Sequence, residues 1–163
     1  MEQEPNGISI RAAGPEDAAR LALFHAAVWE EAYSGLIPDE ILSTRAALPL
    51  TVRVSAWSER VGAAPTWVAA DESGVLRGFV QAGPPRDGTD PPLELMALYV
   101  GSRDYGTGLA SRLLTIAIGS EPASLWVLDG NVRALRFYRR HGFTTDGATR
   151  IDRYGRELRM VRS

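Results

Sequence analysis

Residues Leu93 to Leu114 read LELMALYVGSRDYGTGLASRLL, and this stretch decides the fold. Its opening run, Leu93 to Val100, is apolar except for one acid, which predicts a central strand buried on both faces. A glycine-rich turn follows, and the next residues predict a helix from about Gly108 to Ile118. Small residues at a helix N-terminus expose backbone N–H groups beside the positive end of the helix dipole. The turn therefore predicts a diphosphate site at the carboxyl end of the central strand.

Periodicity and turn residues predict further elements on both sides of this unit. Upstream, we predict a strand over Ile8–Ala12, a helix from about Gly14 to Tyr33, short helices over 39–47 and 51–61, and strands over 66–70 and 75–82. Downstream, we predict a strand over 124–128, a helix over 131–140, and strands over 143–147 and 157–161. This order predicts an α/β fold with a mixed sheet and one parallel crossover.

Length and composition narrow the class of protein. With 163 residues, 45% of them hydrophobic, we expect a single domain over residues 1–163. The chain has no Cys and two His, so we expect no metal site. All 18 basic residues are Arg, which excludes a Schiff-base lysine and the lysine of a Walker phosphate loop. The segment Met1 to Gly7 is acidic and polar, and no long apolar run is present, so we expect a cytoplasmic protein without a membrane span.

Charge is distributed unevenly along the chain. Residues 130–163 carry 9 Arg against 3 acids, although the whole chain has a net charge of -2. A pI near 5.7 and the lack of a nucleic-acid-binding motif argue against a nucleic acid partner.

Three classes of phosphate-binding turn can be compared with Tyr105 to Ala110. A P-loop NTPase needs Gly-Lys-Ser/Thr, which is missing. A dinucleotide fingerprint needs a third glycine where this chain has Ser111, and it normally follows the first strand of a parallel sheet. Asp129 does lie at a suitable distance for a ribose contact, so a dinucleotide-binding enzyme remains an alternative.

The third class agrees best with the residues. Leu98-Tyr99-Val100, then Tyr105-Gly106-Thr107-Gly108-Leu109-Ala110 and Leu113-Leu114, resembles the acetyl-CoA-binding segment of the GNAT N-acetyltransferase superfamily. A second block is similar to that family's next strand and helix: Leu125-Trp126-Val127, Asn131, Ala134, Phe137-Tyr138 and Gly142-Phe143. One position departs from the pattern, because Tyr105 stands where the family usually has Gln or Arg; Arg103 or Arg112 is a candidate to compensate.

The resemblance implies a GNAT-like, mostly antiparallel sheet with flanking helices and a parallel β-loop-α-β crossover. It implies acetyl-CoA as cosubstrate, with pantetheine paired to the main chain of Leu98 and Val100. The phosphates are expected on the loop. The implied cofactor-binding residues are Leu98, Val100, Tyr105, Gly106, Thr107, Gly108, Leu109, Ala110, Asn131 and Ala134.

Five side chains are candidates for a role in the reaction: two for the chemistry and three for binding the acceptor. Tyr138, with an ordinary pKa of about 10, can donate a proton to a leaving thiolate whose thiol has a pKa of roughly 8.5. Glu94, the one charge in the apolar strand, is predicted to accept the proton of the amine. Trp29, Glu30 and Tyr33 are predicted to hold a cationic amine by cation–π and charge contacts. His25 and His141 are interpreted as structural.

These observations predict an N-acetyltransferase that moves acetyl directly from acetyl-CoA to a primary amine, without a covalent enzyme intermediate. A non-catalytic acyl-CoA-binding module of the same fold is the alternative, ahead of the dinucleotide-binding enzyme. The sequence does not identify the acceptor, and a homodimer is possible.

Overall fold

A computed structural model describes residues 7–163. Residues 1–6, which carry most of the argument against a signal peptide, lie outside the described residues. The strands are β1 (Ser9–Ala12), β2 (Thr66–Ala70), β3 (Leu76–Gly83), β4 (Glu94–Val100), β5 (Ala123–Leu128), β6 (Thr144–Asp152) and β7 (Gly155–Arg162). The helices are α1 (Ala18–Tyr33), α2 (Asp39–Ala46), α3 (Leu50–Ala63), α4 (Leu109–Ile118) and α5 (Val132–Arg140), with 3₁₀ turns at Pro15–Asp17 and Ser102–Asp104.

The described strands form one seven-stranded sheet in the order β1-β2-β3-β4-β5-β7-β6. Neighbouring strands are antiparallel except β4 and β5, which are parallel. The predicted fold class is therefore confirmed. β6 extends well beyond the predicted 143–147, because it pairs with β7 along most of its length at the sheet edge. The sequence did not predict the longer strand because its exposed residues lack the alternation of apolar and polar residues that marks a strand.

The sheet opens between β4 and β5. These strands share a single register pair, Glu94 with Ser124, and the Ser124 N–H donates to Leu93 O at 2.9 Å. Opposite β3, Gln81 pairs with Ala97 and Ala82 with Leu95, so Met96 is the extra residue of a bulge that bends β4.

The prediction that the central strand is buried on both faces is therefore wrong for most of its length. In β4 only Glu94 and Leu95 are buried, and Met96 to Val100 are half-buried because the strand beside them has moved away. The apolar run supplies the wall of a cleft rather than the middle of a closed sheet.

Each face of the sheet carries its own core. Val80, Leu125 and Phe143 pack with α4 and α5 on one face. Phe79 and Val68 pack with α1 and α3 on the other. Successive strand residues alternate between these faces, which places Leu98 and Val100 toward α4 and Tyr99 toward α1.

Among residues 7–163, no helix is long and apolar enough to cross a membrane. The same residues contain no group of three or more His, Asp or Glu side chains arranged to hold a metal ion.

Candidate active site

A cleft of about 520 Å³ passes through the opening between β4 and β5. One end, the phosphate end, is formed by the loop from Asp104 to Ser111 and by α5. The other, the tyrosine end, contains Tyr33, Tyr99 and Tyr138. Since its lining comes from helices on both faces of the sheet, two molecules can approach the middle of the cleft from opposite sides.

Two glycines give the phosphate end its backbone shape. Gly106 has a φ of 77° and Gly108 a φ of 88°, in the left-handed region that residues with a Cβ avoid. No atom lies within 4 Å of a Cβ built at either position, so the loop is open on that side. Gly108 precedes α4, whose first-turn N–H groups lack helical acceptors. The loop can therefore present backbone donors to an anion.

A buried ion pair fixes this loop to the sheet. Asp104 is 4% exposed and accepts hydrogen bonds of 2.8 Å from both Nε and Nη2 of Arg77 in β3. The Thr107 hydroxyl donates to the Asp104 carbonyl oxygen at 2.7 Å. Sequence reasoning missed Asp104 and Arg77, which are far apart in the chain and belong to no local motif.

Tyr105 brings a cation to the phosphate end from a different element. The guanidinium of Arg133, on α5, stacks over the Tyr105 ring at 3.4 Å from its centre, and both residues line the cleft. Arg103 and Arg112, which the sequence offered as compensation for Tyr105, do not line the cleft. Arg133 therefore brings positive charge to the loop, and Arg140, also on α5, is the other arginine among the described residues that line the cleft.

Most of the predicted cofactor residues line the cleft, and two do not. Leu109 is 2% exposed and packs in the core, and the Thr107 hydroxyl is turned to Asp104. Asn131 lines the cleft and also caps α5, with its Oδ1 accepting from the Ala134 N–H at 3.2 Å. The predicted residues that line the cleft are Leu98, Val100, Tyr105, Gly106, Gly108, Ala110, Asn131, Ala134, Tyr138 and Tyr33.

The tyrosine end gathers three phenols from separate elements. The hydroxyls of Tyr33 and Tyr99 are 3.0 Å apart and hydrogen-bonded. Among residues 7–163 the Tyr138 hydroxyl has no hydrogen-bond partner in the structure. Burial, and secondarily Tyr33, raises the pKa of Tyr138 above its ordinary value, so its proton is retained at neutral pH. Tyr99 was not predicted as a site residue, because within its apolar strand it has the pattern of a core residue.

His141 connects α5 to α4 beside the cleft. Its Nε2 lies 3.0 Å from the Ser111 hydroxyl, and its Nδ1 lies 2.8 Å from the Phe137 carbonyl oxygen. The carbonyl can only accept, so Nδ1 donates; in the neutral ring Nε2 is then the acceptor of the Ser111 hydroxyl. This contact joins the two helices that border the phosphate end.

Glu94 does not line the cleft. Its side chain is 3% exposed, Oε1 accepts from Arg86 Nη2 at 2.6 Å, and Oε2 accepts from the Arg86 N–H at 2.9 Å. The carboxylate lies where β4 and β5 begin to separate and is engaged by one arginine. Its assignment as general base stays a prediction, tested below.

The predicted acceptor residues are divided by the structure. Tyr33 lines the cleft, and Trp29 packs behind it with ring centres 4.8 Å apart. The guanidinium of Arg45 stacks over the Trp29 ring, 4.1 Å from its centre. The ring of Tyr154, from the β6–β7 turn, also packs on Trp29, with 5.0 Å between ring centres. Glu30 is exposed and lies outside the cleft.

Comparison with known proteins agrees with this geometry. A family model described as an acetyltransferase (GNAT) domain matches residues 62–145. A probable N-acetyltransferase of Mycobacterium tuberculosis is 31% identical over 150 residues, which cover 90% of this chain and 85% of the relative. The chain belongs to the GNAT acetyltransferase family. The family predicted from the two sequence blocks is thereby confirmed, and with it the prediction of an enzyme of the acyltransferase class.

Solved structures share the GNAT fold over nearly the whole described chain. The PaiA N-acetyltransferase of Thermoplasma acidophilum, solved in complex with coenzyme A, has a TM-score of 0.75 at 19% identity, covering 96% of this chain and 98% of the other. A GCN5-related N-acetyltransferase of Kribbella flavida has a TM-score of 0.68 at 20% identity, covering 98% and 99%. The mostly antiparallel GNAT sheet leaves no place for the parallel dinucleotide-binding sheet that was the weaker alternative.

Proposed function

We propose that this GNAT enzyme transfers the acetyl group of acetyl-CoA directly to a primary amine. The observation that carries the proposal is the cleft through the sheet, with backbone donors at one end and phenol hydroxyls at the other. The names of two similar proteins support it: the mycobacterial relative is called a probable N-acetyltransferase, and the Thermoplasma protein holds coenzyme A.

The residues of the cleft fit acetyl-CoA, which when bound supplies an activated thioester. The open backbone at Gly106 and Gly108, the first turn of α4 and the Arg133 guanidinium suit the diphosphate. The edge of β4 that faces the opening, at Leu98 and Val100, suits an extended amide-containing arm, because past Glu94 it has no partner in β5. The volume of about 520 Å³ is in the range of ligand sites.

Tyr138 is the residue proposed to act as acid. Its Oη keeps a proton at neutral pH, has no competing protein acceptor among the described residues and lies in the cleft. It can donate that proton to the sulfur that leaves the acetyl carbon. The bonded pair Tyr33 and Tyr99 lies on the α1 side, where an amine approaches, and can orient it by hydrogen bonds.

The proton of the amine needs a different acceptor. Among the described side chains that line the cleft, Asp104 is the one carboxylate, and Arg77 engages it. We therefore propose that water in the open cleft carries the amine proton to solvent and that Glu94 serves the sheet junction. We also propose that Tyr33 and Trp29 hold the acceptor amine. Glu30, which does not line the cleft, is not part of this contact.

Two measurements test the function. Coenzyme A at about a hundred times its dissociation constant should stabilise the protein by roughly 2.7 kcal/mol, and NAD should not. Thiol release from acetyl-CoA should accelerate in the presence of some members of a panel of primary amines. Stabilisation by coenzyme A without acetylation of any amine would favour the non-catalytic acyl-CoA-binding alternative.

The single domain over residues 1–163 and the possible homodimer stay predictions. Light scattering on the purified full chain measures its mass in solution and decides between monomer and dimer.

A further inference from the structure

A second cavity, of about 490 Å³, lies between α1, α2 and α3. Among the described residues, none lines both this cavity and the cleft. A layer of packed rings lies between them, with His25 on Tyr99 at 5.4 Å between ring centres and Trp29 on Tyr33 at 4.8 Å. The second cavity is therefore a separate compartment, and its volume is in the range of ligand sites.

The wall of the second cavity is cationic. Three partly buried arginines line it: Arg45 from α2, and Arg53 and Arg60 from α3. Burial first, and then the charges of these three arginines, lower the pKa of His25 to about 3, so all three act on one neutral imidazole. Among the described residues that line the cavity, Glu30 is the one carboxylate, and it is exposed.

None of the three guanidinium groups has an ion-pair partner within residues 7–163. Arg60 lies over the Trp57 ring at 4.0 Å from its centre, and its Nη2 lies 3.4 Å from Gln81 Oε1. Arg53 donates from Nη2 to two carbonyl oxygens at the end of α2, at 2.8 and 2.7 Å. Each guanidinium has five N–H donors, so both groups keep donors for a ligand.

Arg45 completes the cluster. Its Nη1 donates to the Tyr154 hydroxyl at 3.1 Å, and its Nη2 lies 3.4 Å from His25 Nδ1. Burial, the largest effect, lowers the pKa of Arg60, and the charge of Arg45 acts in the same direction. Like charges held partly out of water repel one another, and an anion placed among them relieves that cost. The cavity is therefore electrostatically suited to an anion.

The same cavity has an exposed apolar rim. Its lining includes Leu23, Leu48 and Val52, whose side chains are 59, 45 and 52% exposed. Among the described residues, no large hydrophobic side chain of comparable exposure lines the cleft. Apolar side chains gathered in water around a concave site indicate a surface that a ligand covers. A ligand that matches this cavity combines an anionic group with an apolar body.

We propose that the second cavity binds a small amphipathic anion, with its carboxylate or phosphate group on Arg45, Arg53 and Arg60 and its apolar body against the rim. Both anionic groups match the planar donor fork of arginine. The ligand is distinct from the acetyl acceptor, because the rings of His25 and Trp29 close the cavity off from the cleft. The site does not depend on the proposed acetyl transfer.

A set of matched ligands tests the site on the full chain by isothermal titration calorimetry at pH 7. Hexanoate and hexylphosphonate combine an anionic group with an apolar chain, 1-hexanol lacks the charge, and acetate lacks the chain. At least one six-carbon anion should bind about tenfold or more tightly than both 1-hexanol and acetate. Preference for hexanoate or for hexylphosphonate identifies the anionic group. Equal affinity for 1-hexanol or for acetate, or no saturable binding of either six-carbon anion, would overturn the proposal.

Variants locate the bound anion. Arg60→Gln and Arg53→Gln should each weaken binding of the preferred anion about tenfold, and Arg60→Lys should recover part of the loss because it keeps the charge. Arg133→Gln removes an arginine that lines the cleft instead, so it is the matched control and should keep the parental affinity. Thermal melting shows whether each variant is folded, and Arg53→Gln decides if Arg60→Gln is not. Weaker binding in Arg133→Gln with parental affinity in the other Gln variants would place the anion in the cleft and contradict the proposal.

The rim has its own test. The double variant Leu23→Gln, Val52→Thr should weaken binding of the six-carbon anion severalfold, whereas Val75→Thr, at an exposed position outside the cavity, should not. Light scattering on the same samples examines a second copy as the alternative occupant. A dimer that the double variant dissociates, together with no binding of either anion, would assign the rim to a subunit interface and overturn the proposal. None of these measurements uses acetyl-CoA, so failure of acetyl transfer and failure of this site are distinguished.

Discussion

The phosphate end and the tyrosine end of the cleft are built in different ways. The phosphate end offers backbone N–H groups from neighbouring residues between Tyr105 and Ser111, in a loop that two glycines with positive φ shape. The tyrosine end uses side chains from α1, β4 and α5. A backbone site is specified by local conformation, whereas a side-chain site depends on the packing of distant elements. The two ends should therefore respond to different substitutions.

The largest expected effect breaks the phosphate end at its backbone. In the double variant Gly106→Ala, Gly108→Ala, each Cβ costs about 1–2 kcal/mol in the left-handed conformation, so the free loop should leave that conformation. Restoring it on binding should lower coenzyme A affinity about 100-fold. Isothermal titration calorimetry measures the change. Gly62→Ala is the control, since Gly62 lies in helix α3 and no atom is within 4 Å of the added Cβ. Parental affinity in the double variant would show that this backbone does not hold the phosphates.

Removing one hydroxyl at the tyrosine end should affect turnover and spare cofactor binding. Tyr138→Phe deletes the proposed acid and should lower kcat by about 100-fold, with coenzyme A affinity nearly unchanged. Tyr105→Phe makes the same chemical change at the phosphate end and keeps a ring for Arg133, so its kcat should stay close to the parent's. Single-turnover kinetics shows whether chemistry limits the rate. Unchanged chemistry in Tyr138→Phe would remove Tyr138 from the mechanism.

Burial of His25, and then the charges of Arg60, Arg45 and Arg53, should give the stability of the fold a dependence on pH. Because the pKa of His25 is about 3 in the folded protein and about 6.5 in the unfolded chain, only the unfolded chain binds this proton between those values. The free energy of unfolding is therefore undiminished by His25 above pH 6.5. It falls as the pH is lowered toward 3, by at most about 1.4 kcal/mol per pH unit.

In urea denaturation between pH 7 and pH 4.5, His25→Gln should reduce the dependence of the unfolding free energy on pH. Arg139→Gln, at an exposed position on α5, is the control and should keep that dependence. The same slope in His25→Gln and in the parent would show that neither burial nor the neighbouring arginines lower the pKa of His25.

The smallest expected effect concerns Glu94, outside both ends. Arg86 engages the carboxylate and is itself largely exposed, so Glu94→Gln should cost about 1–2 kcal/mol of stability and leave the pH–rate profile unchanged. Thermal denaturation and the pH dependence of kcat/KM measure the two quantities. Glu121→Gln, at an exposed position, is the control. Loss of an ionisation from the profile of Glu94→Gln would restore Glu94 as general base.

The sequence by itself determined the family and the order of strand, turn and helix at the phosphate end. Leu93 to Val100 followed by the turn at Gly106 and Gly108 predicts a strand, a donor loop and a helix from neighbouring residues alone. The same local logic placed Asn131, Ala134 and Tyr138 on one face of α5, and the structure brings all three to the cleft. Backbone conformation and helical spacing are properties of short stretches, so they can be inferred without the fold.

Only the tertiary structure decided the rest. The opening between β4 and β5 comes from the bulge at Met96 and from the single register pair that joins these strands. The pattern of hydrophobic residues in the sequence predicts neither feature. The pairing of Tyr33 with Tyr99, of Asp104 with Arg77, and of Glu94 with Arg86 joins residues that different elements bring together. The gathering of Arg45, Arg53 and Arg60 around His25 likewise follows from the packing of three helices. Charge and burial at these positions depend on neighbours distant in sequence, so each residue's role is set by contacts that exist only in the folded chain.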